Sequence, residues 1–162
     1  MNKKSLKEKI VDFVCNISSQ PIRYKDLLIS NALFNEGMLV DPAKLNFRIN
    51  IKKTYFVYAI ICFCIIAPIV LISHFAFKDI NTHVSMAGVI VITSCVLIGY
   101  NYFIYWIRKA ITSKLIQKAW LVHFPYFSYK KYSKEVERLY NEIIKQELPR
   151  KDWEQYILDG LL

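Results

Sequence analysis

The chain has 162 residues, 54% of them hydrophobic, yet it carries a formal net charge of +9 from 22 Lys and Arg against 13 Asp and Glu. Soluble domains average roughly 45–50% apolar residues, so an apolar excess beside a basic excess points to a lipid bilayer with an anionic surface. Glycines occur only at 37, 88, 99 and 160, too scattered for a phosphate-binding loop or a dinucleotide fingerprint, which excludes the common nucleotide-binding enzymes.

Residues 1–53 hold ten Lys and Arg against five Asp and Glu. Lys3, Lys4, Lys7 and Lys9 open the chain as a secretory signal would, but Glu8 and Asp12 interrupt the apolar stretch such a signal needs. The segment is therefore expected to stay attached. Leu6, Ile10, Phe13, Val14 and Ile17 recur at helical spacing and predict an amphipathic helix that breaks before Pro21. Asp26 is the expected N-cap of a helix from Leu27 to about Phe34, followed by a turn at Asn35-Glu36-Gly37. Asp41-Pro42 reads as a helix start that runs towards the first apolar span. Alternation at Leu45, Phe47, Ile49 and Ile51 competes as a short strand; helix is the preferred reading.

Two runs without a formal charge follow, Thr54 to Phe77 and Val84 to Ile107. At 1.5 Å per residue each helix reaches roughly 36 Å, enough to cross a hydrocarbon core of about 30 Å. Residues 54–107 are thus expected to form a transmembrane hairpin, with spans 54–77 and 84–107 and the loop 78–83 outside. Arg48, Lys52, Lys53, Arg108, Lys109, Lys114 and Lys118 flank the outer ends of the spans, against Lys78 alone in the loop. Lys and Arg near span ends stay on the cytoplasmic side, which places both termini there. Tyr55, Phe56, Tyr58, Tyr100, Tyr102, Phe103, Tyr105 and Trp106 then fall at the cytoplasmic interface, where amphipathic rings are favoured.

Heptad spacing puts Ala59, Cys62, Ile66, Ile69 and Ser73 on one stripe of the first span, and Ser85, Gly88, Ile92, Cys95, Gly99, Tyr102 and Trp106 on one stripe of the second. Small residues allow the close backbone approach that holds helices together in lipid, so Gly88, Cys95 and Gly99 are the expected packing positions, against the other span or against a partner. Pro68 is expected to kink the first span. Neither span contains Asp, Glu, Lys or Arg, which argues against an ion or proton path. Asn101 lies deep enough to seek a hydrogen-bonding partner or interfacial water. His74 and His83 are at different depths and do not suit a bis-histidine haem; with His123 far away, no metal site is expected. Cys15, Cys62, Cys64 and Cys95 lack zinc or redox spacing and are read as small packing residues.

Beyond Ile107, helical character persists from Arg108 to Phe124 and ends at Pro125. The aromatic and basic stretch that follows, with Trp120, Phe127, Lys130 and Lys131, is expected on an anionic lipid surface; the competing reading, stacking on single-stranded nucleic acid, is not adopted. Ser133 is the expected cap of an amphipathic helix whose stripe holds Val136, Leu139, Tyr140, Ile143, Ile144 and Leu148. Pro149 ends it, and Lys151–Leu158 forms a last short helix with Trp153, Tyr156 and Ile157 at an apolar tip. Leu139, Tyr140, Ile143, Ile144 and Trp153 are the candidate partner-binding residues.

The whole reads as an all-α membrane protein, a two-helix hairpin with amphipathic cytoplasmic helices before (1–53) and after it (108–162). No nucleophile elbow, zinc-helix pair or kinase signature is present, and no cofactor, metal or nucleic acid is implied. The expected role is that of a non-catalytic inner-membrane accessory protein that stabilises, assembles or localises a larger complex, by contact with a membrane protein partner or with further copies of itself. The alternative is a small oligomeric pore-forming or toxin-like protein.

Overall fold

A computed structural model describes the backbone of residues 5–76 and 82–162 and the side chains of residues 5–72 and 86–162. In chain order the elements are α1 (Leu6–Val14), β1 (Cys15–Ile17), α2 (Tyr24–Asn35), a 3-10 turn (Pro42–Leu45), β2 (Phe47–Ile49), α3 (Ile51–Ala76), α4 (Thr82–His123), α5 (Tyr129–Lys145), a second 3-10 turn (Arg150–Asp152) and α6 (Trp153–Leu161). The architecture is helical apart from the two-stranded β1–β2 sheet. It divides into two compact units, residues 1–15 with 49–107, and residues 16–48 with 108–162. Residue ranges of α4 fall in both.

α3 and α4 include stretches, Ile51–Ile72 and Met86–His123, long and apolar enough to cross a membrane, and of these residues 108–123 belong to the second unit. Asn50 starts α3: its side-chain oxygen accepts from the Lys53 amide at 3.1 Å, and its carbonyl accepts from the buried Thr54 hydroxyl at 2.8 Å. Pro68 sits inside the helix. The loop expected at 78–83 lies outside the described residues up to position 81, and Thr82 and His83 already belong to α4. The side chains of Ser73, His74, His83 and Ser85 are likewise outside the described residues. α1 packs on α3 through buried Val11 and Val14. The Ser5 amide donates to the Glu8 carboxylate at 3.0 Å, half of a capping box that fixes where α1 begins.

Several boundaries differ from the sequence expectation. The first helix stops at Val14, because Cys15 turns extended (φ −106°, ψ 130°) and residues 15–17 pair as β1. Bonds flanking the pair, Ser18 amide to Asn46 carbonyl and Asn50 amide to Val14 carbonyl, both 2.8 Å, set an antiparallel register. The helix expected to run from Pro42 into the first span is instead one 3-10 turn. Asp41 does cap it, accepting from the Ala43 amide at 3.0 Å, but Asn46 then adopts a left-handed φ of 54°, which no continuing helix tolerates, and Phe47–Ile49 forms the strand. α2 begins at Tyr24, not Leu27; Arg23 occupies the N-cap position and Asp26 sits in the first turn, where its charge favours the helix dipole.

The second unit carries a conventional core. Leu27 and Leu28 of α2, Ile111, Ile116 and Trp120 of α4, Val136 and Ile143 of α5 and Ile157 of α6 are all essentially inaccessible. α5 packs against both α2 and α6. α2 ends in a left-handed Gly37 (φ 78°), with the Met38 amide donating back to Leu33 at 2.8 Å; α5 ends the same way on Glu147 (φ 52°), with Leu148 donating to Ile143 at 3.2 Å.

Ser133 is not the cap of α5. The helix starts at Tyr129 after Ser128, whose carbonyl accepts from the Lys131 and Tyr132 amides. Ser133 is buried against α2, where its hydroxyl meets the side-chain oxygens of Asn31 and Asn35 at 3.1 Å each, and the Asn31 amide donates to its carbonyl at 2.8 Å. Two asparagines and a serine therefore bolt α2 to α5 in the middle of an apolar contact. On the solvent side Arg138 bridges Glu135, at 2.6 Å, and Glu142. The Arg138 hydrogen bond holds the Glu135 carboxyl below its usual range.

Candidate functional site

The residues singled out from the sequence fall into three groups. On the spans, Gly99 is half-buried and meets α3: a Cβ built there would lie 2.6 Å from the Tyr58 hydroxyl, which donates to the Val96 carbonyl at 2.7 Å. Around this contact Tyr55 stacks on Tyr100 (centroids 4.4 Å apart, planes at 7°), and Tyr58 also touches Tyr100 and Phe103. Gly88 has open space where a Cβ would go, and Cys95 is exposed. The Asn101 amide bonds the Leu97 carbonyl of its own helix at 3.2 Å.

The second group was expected at a lipid surface. Trp120 is instead a core residue, 1% exposed, its indole N–H donating to the Phe127 carbonyl at 2.6 Å and its ring against Phe124 and Tyr129. Aromatic density here follows from packing the turn between α4 and α5. Phe127 is half-buried, edge-on to Tyr132, while Lys130 and Lys131 are exposed on the first turn of α5.

In the third group, Leu139 and Ile143 face inward and are covered by the chain itself, so they offer no open surface to a partner. Trp153 is buried too, its N–H donating to Leu148 at 2.9 Å and its ring edge-on to Tyr140. Ile144 alone is left well exposed. Gly160, which the sequence reading passed over, permits the close approach of α6 to α5, because a Cβ there would come 2.7 Å from a Leu139 methyl.

What the second unit does leave open is a groove. The link from Ile17 to Ile22 runs beside α4, and together with Leu45, Leu115, Lys118, Ala119 and Val122 it encloses about 240 Å³. The link is pinned on both flanks. His123 Nε2 lies 2.9 Å from the Ile22 carbonyl, and since a carbonyl only accepts, that nitrogen carries the proton. On the other flank the Asn46 amide reaches the Gln20 and Pro21 carbonyls at 3.4 Å. Gln20 also lines two neighbouring depressions, one beside Arg48 and one beside Arg23, Asp26 and Lys44. Lys118 is the one Lys or Arg that lines the groove itself, whose floor is apolar; Arg48, Arg23 and Lys44, with the carboxylate of Asp26, line the two depressions that share Gln20 with it. Ile17 and Val122 are 42% and 70% exposed at its edge.

Behind the groove Tyr24 packs on His123 and Phe124. Burial, with a smaller contribution from the Glu154 charge, raises its hydroxyl well above the ordinary tyrosine range. Among the described residues the Tyr24 and Ser30 hydroxyls are buried without a hydrogen-bond partner, and no group of three or more His, Cys, Asp or Glu could hold a metal ion.

No family model, curated protein or solved structure matches this chain.

Proposed function

We propose that this protein is a non-catalytic accessory protein of the inner (cytoplasmic) membrane, crossing it twice by α3 and α4 with both termini in the cytoplasm, and that it helps stabilise, assemble or localise a larger membrane complex. The groove between the Ile17–Ile22 link and α4 carries this reading. Its occupant is a short partner segment that sets an aliphatic or aromatic side chain on the apolar floor and a carboxylate near Lys118, a pairing favoured by that charge. The excess of Lys and Arg outside the spans supports the orientation.

The test is affinity purification of the full chain from membranes in mild detergent, comparing wild type with Val122→Glu, Lys118→Glu and the double variant. Val122 and Lys118 are exposed, so these substitutions leave folding intact. One membrane protein should co-purify with wild type and be lost stepwise in the variants. Undiminished capture by the double variant refutes the groove. Rapid collapse of membrane potential on expression, with no co-purifying protein, would favour a pore instead. Cysteine labelling from outside the cell should reach position 81 and neither position 2 nor 162; the reverse pattern refutes the orientation.

A further inference from the structure

α1 has two apolar sides and the fold fully buries only one. Val11 and Val14 are buried where α1 meets α3. Leu6, Ile10 and Phe13, at i, i+4 and i+7, make a second stripe turned about 100° away from that pair around the helix. Leu6 is 73% exposed and Phe13 47%, while Ile10 between them is half-buried. A single exposed apolar residue needs no explanation, but a stripe of them on one short helix does.

Where α1 is fastened decides what covers this stripe. The Asn50 amide donates to the Val14 carbonyl at 2.8 Å, and Lys53 Nζ stands 4.9 Å from the Phe13 ring centre, so α1 is moored at the first turn of α3. From that turn onward α3 exposes apolar side chains, with Ile51, Tyr55 and Phe56 all more than half exposed. The C-terminal end of α1 is thus held where this apolar surface begins. Lys9 on α1 and Lys52 on α3 are exposed, as is Lys7 on the side of Val11 and Val14, while of the two carboxylates of α1 Glu8 is engaged at the cap and Asp12 is half-buried.

From this mooring and the exposed lysines we infer that α1 is an in-plane anchor which lays Leu6, Ile10 and Phe13 into the boundary between headgroups and acyl chains of an anionic bilayer, its lysines on the lipid phosphates. The inference rests on α3 and α4 spanning that bilayer. It also relocates the lipid-surface role from Trp120, which is buried, to the other end of the chain.

The test uses the full chain reconstituted in vesicles of phosphatidylcholine with phosphatidylglycerol. Cys62, Cys64 and Cys95 are replaced by Ala, the buried Cys15 is kept, and a nitroxide is attached in turn at Leu6→Cys, Phe13→Cys, Glu8→Cys and Phe63→Cys. Collision with oxygen, which concentrates in lipid, is compared with collision with a water-soluble nickel chelate. The oxygen-to-nickel ratio should be several-fold higher at Leu6 and Phe13 than at Glu8, and higher still at Phe63 in the middle of α3. It should fall at Leu6 in vesicles of phosphatidylcholine alone, or when Lys7 and Lys9 are both changed to Gln. Ratios at Leu6 and Phe13 as low as at Glu8 overturn the anchor while a high ratio at Phe63 keeps the spans. Shielding of Leu6 and Phe13 from both reagents, with dipolar broadening between labels, assigns the stripe to a second copy and also overturns it. A low ratio at Phe63 overturns the membrane reading and the anchor with it. No change on removing the anionic lipid or the lysines overturns the charge component.

Discussion

The two units use the same residue types in opposite ways. In the second, Trp120 and Phe124 are each 1% exposed and Ile143 is fully covered; in the first, Phe63 is 74% exposed and Ile98 70%. Apolar burial at roughly 25 cal/mol per Å² therefore organises residues 16–48 with 108–162. It does little for α3 and α4, which meet through specific contacts: the Tyr58 hydroxyl on a backbone carbonyl, stacked Tyr55 and Tyr100, and the gap at Gly99. That is how helices associate when their surroundings are as apolar as they are, as in the bilayer proposed here. One chain thus contains a part held by expulsion from water and a part held by fit.

Breaking the core of the second unit should have the largest effect. Ile143→Glu removes an aliphatic side chain worth about 2–5 kcal/mol and adds the cost of desolvating a carboxylate. Limited proteolysis should show the unit lost, with Trp120 and Trp153 emission shifted to the red, whereas Lys145→Glu on the solvent face should change stability by less than about 1 kcal/mol. A protease-resistant Ile143→Glu would mean that α5 is not docked. Next comes the polar bolt. Ser133→Ala leaves Asn31 and Asn35 short of partners, at about 1–3 kcal/mol, read as a lower denaturation midpoint in detergent; no change would show that the asparagines act without it.

In the first unit the expected effects are smaller and depend on fit. Gly99→Ala pushes on the Tyr58 hydroxyl and should lose one hydrogen bond, about 1 kcal/mol, while Gly88→Ala meets open space and should be silent. The cost at Gly99 should shrink in a Tyr58→Phe background, because the clashing atom is gone; equal penalties in both backgrounds would place the strain elsewhere. Smallest is Tyr24→Phe. Deleting a buried hydroxyl that has no partner should leave stability unchanged or raise it by up to about 1 kcal/mol, and a clear loss would reveal an acceptor.

The sequence discloses α3 and α4 because a run of two dozen uncharged, apolar residues has few structural solutions. It discloses the local chemistry of Asp41-Pro42 as well, but not how soon that helix ends, since a left-handed Asn46 is decided by the pairing of Phe47–Ile49 with a strand some thirty residues earlier. Three-residue strands are too short to announce themselves by alternation. Ser133 misleads for a related reason: a serine ahead of an amphipathic stripe looks the same whether it caps a helix or joins a network 102 residues away. Amphipathicity likewise states that Leu139 and Ile143 need cover and is silent on whether α2, α6 or another molecule provides it. The groove is least legible, being assembled from residues 17–22, 45 and 115–123; only the polar run Ser18–Gln20 before Pro21 hints at an exposed link.

The bolt between Asn31 and Ser133 spans 102 residues, and that separation has a temporal meaning. A ribosome adding about 5–20 residues per second needs roughly 5–20 s to travel between the two. Throughout that interval α2 exists without α5, its Leu27, Leu28 and Ala32 lacking the cover they have in the finished fold. Both apolar spans emerge within the same window. The nascent chain therefore carries a sticky helix at the very time its long apolar segments are being made, and it can complete the second unit only after the first has been synthesised.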